Sequence, residues 1–94
     1  MKVWQVQIWG EGFIRNGRES SFEMSGIVEA QNVDAAFAAA VSLAKAQHPE
    51  LVQAEHPSGP GAVINAEEIE EFPGAPTSQI GKTEVFWSSH SGGA

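Results

Sequence analysis

The sequence predicts an α+β fold: an antiparallel sheet of about four strands, in the order β-β-α-β-β, with one alanine-rich helix packed on one face. Three observations carry that expectation. Asn16-Gly17 sits between two stretches of alternating apolar residues. Asn-Gly is the strongest short-range hairpin signal, because both turn residues take positive φ. A capped, alanine-rich run with apolar residues at helical spacing follows. Two further alternating stretches, over 62–72 and 83–88, then supply strands. Residues 1–88 read as a single domain and 89–94 as a loose tail.

The first strand covers 3–9, with Trp4, Val6 and Ile8 on one face and Val3, Gln5, Gln7 and Trp9 on the other. Gly10 and Gly12 interrupt the pattern, and Phe13-Ile14 resumes it. The returning strand covers 19–30. Phe22, Met24, Gly26, Val28 and Ala30 share one face, and Ser21, Glu23, Ser25, Ile27 and Glu29 the other. A two-residue turn at 16–17 pairs Arg15 with Arg18, so paired positions sum to 33. That sum sets Trp4, Val6 and Ile8 beside Glu29, Ile27 and Ser25, a poor match. One extra residue in the first strand changes the sum to 32. Trp4 then meets Val28, Val6 meets Gly26 and Ile8 meets Met24. The apolar match predicts a one-residue bulge at Gly10–Gly12, where glycine tolerates the backbone required.

Asn32 is an N-cap, and Asp34 complements the dipole in the first helical turn. The helix spans Val33 to Gln47, and Val33, Phe37, Val41 and Ala44 form its expected buried stripe. The surrounding alanines let it sit close to a sheet. His48-Pro49 ends it, since the residue before proline is pushed out of the α region. Residues 50–61 stay open: Leu51-Val52 packs as a last apolar turn or begins a short strand, and 56–61 is a loop by composition. The strand over Ala62–Phe72 shifts phase at Glu67–Glu68, and Pro73-Gly74-Ala75-Pro76 breaks the chain again. In the final strand, Thr83–Ser88, Val85 and Trp87 share a face opposite Phe86. The expected core is Trp4, Val6, Ile8, Met24, Val28, Phe37 and Val41.

Composition excludes several functions. Asp plus Glu number 12 against 5 Lys plus Arg, a net charge of −7. Direct nucleic-acid binding and a polybasic membrane contact both need the opposite balance. With no cysteine there is no disulfide, thiolate metal site or cysteine nucleophile. No apolar run approaches the ~20 residues of a membrane span. The N-terminus lacks the apolar region of a signal peptide, so the expected location is cytoplasmic. Gly10-Glu11-Gly12 precedes a hairpin, whereas a dinucleotide site needs a helix N-terminus there. Ser20-Ser21 and Ser88-Ser89 lack a nucleophile-elbow context. No cofactor and no catalytic residue is therefore assigned.

The candidates that remain are surfaces. Glu67, Glu68, Glu70 and Glu71 form the most polarised stretch. Charges of this kind solvate an edge strand and block edge-to-edge pairing. They also make a docking patch for a basic protein partner. Trp9, Ile27 and Trp87 are apolar residues left over once the core is assigned, and such residues concentrate at interfaces. His48 and His56, each beside a proline and a glutamate, are the ligand-site candidates near 48–61. Their spacing matches no metal motif.

The passage Gly26-Ile27-Val28-Glu29-Ala30, followed by Asn32-Val33-Asp34-Ala35-Ala36-Phe37 and closed by His48-Pro49-Glu50-Leu51, resembles small β-β-α-β proteins of uncharacterised function carried on phages and integron gene cassettes. In those proteins a long hairpin runs through V-E-A-x-(N/D)-x-(D/E)-x-A into an alanine-rich helix. The resemblance covers about half the chain. It implies the fold and an origin on a bacterial mobile element, and it carries no catalytic residue across.

The expected function is a non-enzymatic interaction module that self-associates, as a homodimer built on the helix-free sheet face or an edge strand. One alternative is a small-ligand-binding protein or small enzyme with a pocket near 48–61. The other is an acidic inhibitor that imitates nucleic acid.

Overall fold

Alternation over the first thirty residues builds the centre of the sheet. In the computed structural model, which describes residues 1–15, 17–55 and 63–89, β1 spans Lys2–Arg15 and β2 spans Arg18–Ala30. Trp4 pairs with Val28, Val6 with Gly26, Ile8 with Met24 and Gly10 with Phe22. Beyond the irregularity between Gly10 and Phe13 the pairs are Phe13 with Ser20 and Arg15 with Arg18. The bulge and both register sums are those the apolar pattern predicts. Gly12 (φ 78°) and Gly17 (φ 76°) take the left-handed backbone that the bulge and the turn require. Asn16 lies outside the described residues.

The helix α1 spans Val33–Gln47. Asn32 Oδ1 accepts from the Ala35 N–H at 2.8 Å, the predicted cap. The buried stripe matches the predicted one only at Ala44. Ala36, Ala40 and Ala44 face the sheet, while Phe37 and Val41 flank them half-buried and Val33 is 46% exposed. The reason is geometric. Residues four apart lie on one face, and methyl side chains there bring the helix axis nearest to the strands. Larger residues then fit only beside the seam.

His48 ends α1, and its N–H still reaches the Ala44 carbonyl at 2.8 Å. A second helix, α2, begins at once over Pro49–Glu55. Proline suits a first helical position. Leu51 thus sits in a helix, and it is buried. The expected loop at 56–61 and the tail at 90–94 lie outside the described residues.

β3 spans Val63–Glu71 and β4 spans Lys82–Ser89, joined through the turn at 73–74 and a single 3₁₀ turn at Thr77–Gln79. The antiparallel order is β3-β1-β2-β4, so the hairpin is central and the later strands form the edges. β3 pairs Gln7 with Glu68 but Ile8 with Ala66. Glu67 is the extra residue, which accounts for the shift of phase in the sequence.

Between the sheet and the two helices lie Trp4, Val6, Ile8, Phe13, Phe22, Met24, Val28, Ala30, the three alanines and Leu51. Trp4 Nε1 donates to the Ala30 carbonyl at 3.0 Å, so its one polar atom is satisfied. Phe13, Phe22 and Trp87 pack edge-on or tilted, with centroids 5.2–6.3 Å apart. No helix among the described residues is long and apolar enough to cross a membrane.

Candidate functional site: the helix-free face

Both helices lie on one side of the sheet, so the opposite side is built by the intervening residues of each strand. The register sets them in rows across β3, β1, β2 and β4. Asn65, Trp9, Glu23 and Phe86 make one row. Glu68, Gln7, Ser25 and Glu84 make the next, and Glu70, Gln5, Ile27 and Lys82 the third. Val3 beside Glu29 closes the β1–β2 end.

Three properties define this face. The first is charge: among the described residues of these rows, Glu23, Glu29, Glu68, Glu70 and Glu84 stand with one cation, Lys82. The second is apolar content at scattered points. Phe86 is 63% exposed, and Trp9 and Ile27 are half-buried. The third is amide lining from Gln5, Gln7 and Asn65. A depression of about 460 Å³ lies where the face meets the end of α1, lined by Gln5, Ile27, Gln47, Gln79, Lys82 and Glu84.

The four clustered glutamates separate. Glu68 and Glu70 stand on the open face, Glu67 is the bulged residue, and Glu71 is held by Lys2 Nζ at 3.2 Å. The Glu68 carboxyl is held above its ordinary range, first by a hydrogen bond and by charge repulsion from Glu70 and lastly by the charge of Glu67. The proximity of Glu70, two residues away on the same strand face, favours the protonated form of Glu68.

Of the other candidates, Trp87 turns to the helix side. It packs on Phe13 and Phe22, and the Arg15 guanidinium lies 4.8 Å from its ring centroid. Its Nε1 is buried with no hydrogen-bond partner among the described residues. His48 sits at the end of α1, with Nε2 3.2 Å from the Thr83 carbonyl oxygen and Nδ1 3.7 Å from Glu50 Oε1. His56 lies outside the described residues. Among the described residues no group of three His, Cys, Asp or Glu is placed to hold a metal ion.

Two features carry no local sequence signal. Phe86 is the most exposed aromatic ring among the described residues, yet it reads as an ordinary strand residue. Gln47 clamps the edge of β4. Its Oε1 accepts from the Thr83 N–H at 3.0 Å and from Thr83 Oγ1 at 2.6 Å, and its Nε2 donates to the Gly81 carbonyl at 2.8 Å. Both features depend on tertiary placement across more than thirty residues of chain.

Comparison with known protein families, with curated proteins and with solved structures finds no match for this chain.

Proposed function

We propose that the chain is a protein-interaction module whose helix-free sheet face docks a basic protein surface. The observation that carries this reading is the five carboxylates set against one lysine on a face that also exposes Phe86 and parts of Trp9 and Ile27. Carboxylates arranged this way steer a cationic partner and fix its orientation. Aromatic and branched side chains among them supply the desolvated contacts that give such docking its affinity. The same charges oppose a dimer in which two copies meet through this face. Glu68 and Glu70 stand two residues apart on one strand, and Glu70 favours the protonated form of Glu68, which is unlike the fully ionised charges of a phosphate backbone. A protein surface therefore suits the face better than the role of a nucleic-acid mimic.

The experiment is a titration with a lysine- and leucine-containing peptide, read by tryptophan emission at low and high salt. Glu23→Gln, Glu68→Gln and Glu84→Gln together should weaken binding at least tenfold. The same number of changes off the face, at Asp34, Glu50 and Glu71, should leave it within about twofold. Equal losses in the two triple variants would reduce the effect to net charge and sink the reading.

A further inference from the structure

The two edges of the sheet differ in how they meet solvent. β3 carries Glu67, Glu68, Glu70 and Glu71, charges that oppose pairing with another strand. β4 has Lys82 and Glu84 at its start and then no charge from Val85 through Ser89. Its outer edge is covered at one point. Thr83 turns its N–H and C=O outward, to Gln47 Oε1 at 3.0 Å and His48 Nε2 at 3.2 Å. Alternation along the strand points the same groups of Val85 and Trp87 outward too. No described residue hydrogen-bonds to those groups. An uncharged strand edge with free backbone groups is a template for another strand.

We propose that the chain forms a homodimer by antiparallel pairing of β4 with β4 of a second copy, about a two-fold axis through Phe86. The edge is self-complementary in that register. Val85 and Trp87 both face outward and stand two residues apart, so the reversed strand sets each opposite the other. Each of these pairs exchanges two N–H···O bonds, and Phe86 falls between them opposite its own copy. That central pair is of the non-hydrogen-bonded kind, with Cα atoms about 4.5 Å apart and side chains close. The ring that is 63% exposed in the single chain thereby gains an aromatic neighbour. The Gln47–His48 clamp limits the length of the ladder. In this register Thr83 falls opposite Ser89 of the second copy, and that outer pair does not form because the Thr83 groups are already bonded.

The axis runs perpendicular to the sheet. Both copies therefore keep their helices on one side and their acidic faces on the other, in one eight-stranded sheet. Only a few residues of each strand pair, so the association belongs to the weak class. The inference stands apart from the docking reading, and either can fail alone.

Sedimentation equilibrium of the whole chain, from about 10 µM to about 1 mM, spans the range of weak association. The mass should rise toward twice 10.0 kDa. Phe86→Glu and Phe86→Lys each place two like charges on the axis and should hold the mass at that of one chain. The site is exposed, and an unchanged circular dichroism spectrum would confirm the fold of each variant. An equal mixture of the two variants should restore association. The chain has no cysteine, so Phe86→Cys is a clean probe that should form a disulfide-linked dimer on oxidation. Ser88→Cys, displaced from the axis, should not. The proposal is overturned by a wild-type mass of one chain throughout, by dimeric charge variants, by a mixture that stays monomeric, or by crosslinking at position 88 in place of 86.

Discussion

The ring of Phe22 fills the space that a side chain on Gly10 would occupy: a Cβ there would lie 2.1 Å from Phe22 Cε2. The two residues are cross-strand partners, so the absent side chain on β1 is what lets the Phe22 ring lie down beside Phe13 and Trp87. Gly10→Ala should push the ring off its rotamer and cost about 1–3 kcal/mol, the range for overpacking. Urea denaturation checks this. An unchanged midpoint would mean that the ring does not lie across Gly10.

The Gln47 clamp satisfies groups on Gly81 and Thr83 at the sheet edge. Gln47→Ala leaves the N–H and Oγ1 of the buried Thr83 without their acceptor and should cost about 1–3 kcal/mol. Hydrogen exchange gives the sharper reading. The Thr83 amide should lose protection while the amides of β1 keep theirs, and uniform loss across both strands would contradict a local clamp.

Along α1 the alanine seam should be less forgiving than the aromatic beside it. Ala40→Leu, at a position with no exposure, should destabilise by about 1–3 kcal/mol. Phe37→Ala should cost less than the ~3–5 kcal/mol of a core phenylalanine, because its ring is only half-buried. Thermal melts of both variants decide the order, and a larger loss at Phe37 would restore the stripe that the sequence suggested.

Glu68 supplies a pH dependence of known sign. Its folded-state carboxyl binds a proton more tightly than the unfolded chain does, chiefly because of Glu70. Stability from this group is therefore present once the carboxyl is protonated and is lost as pH rises through the raised value. Glu68→Gln removes the repulsion, so the variant should melt slightly above the wild type at pH 7. The gap should close at acidic pH, once the Glu68 carboxyl is protonated in the wild type as well. A gap of the same size at both pH values would rule out Glu68–Glu70 repulsion as its source.

Much of this architecture is legible in the chain because it is set by near neighbours. Asn16-Gly17, the apolar match of Trp4, Val6 and Ile8 to Val28, Gly26 and Met24, and the Asn32 cap each act within one hairpin or one turn. The Glu67 bulge also shows in the sequence, as an alternation that changes phase. The helix seam was misread because hydrophobic size and closeness of approach select different residues: Val33 and Phe37 are larger, but Ala36 and Ala40 let the axis come near. The open face was legible as polar in β1 and β2. Its charge as a whole was not, since Glu23, Glu68 and Glu84 come together only when β3 and β4 take opposite edges.

That strand order also matters while the chain is being made. The central hairpin and α1 leave the ribosome first, and the two strands that flank the hairpin come from the last third of the sequence. Until they arrive, the outer edge of β1 and the outer edge of β2 present unpaired backbone, the state in which growing chains associate wrongly. The nascent polypeptide, rather than the finished protein, is then the species most exposed to aggregation, and the glutamates of β3 arrive to protect an edge that by then has changed hands.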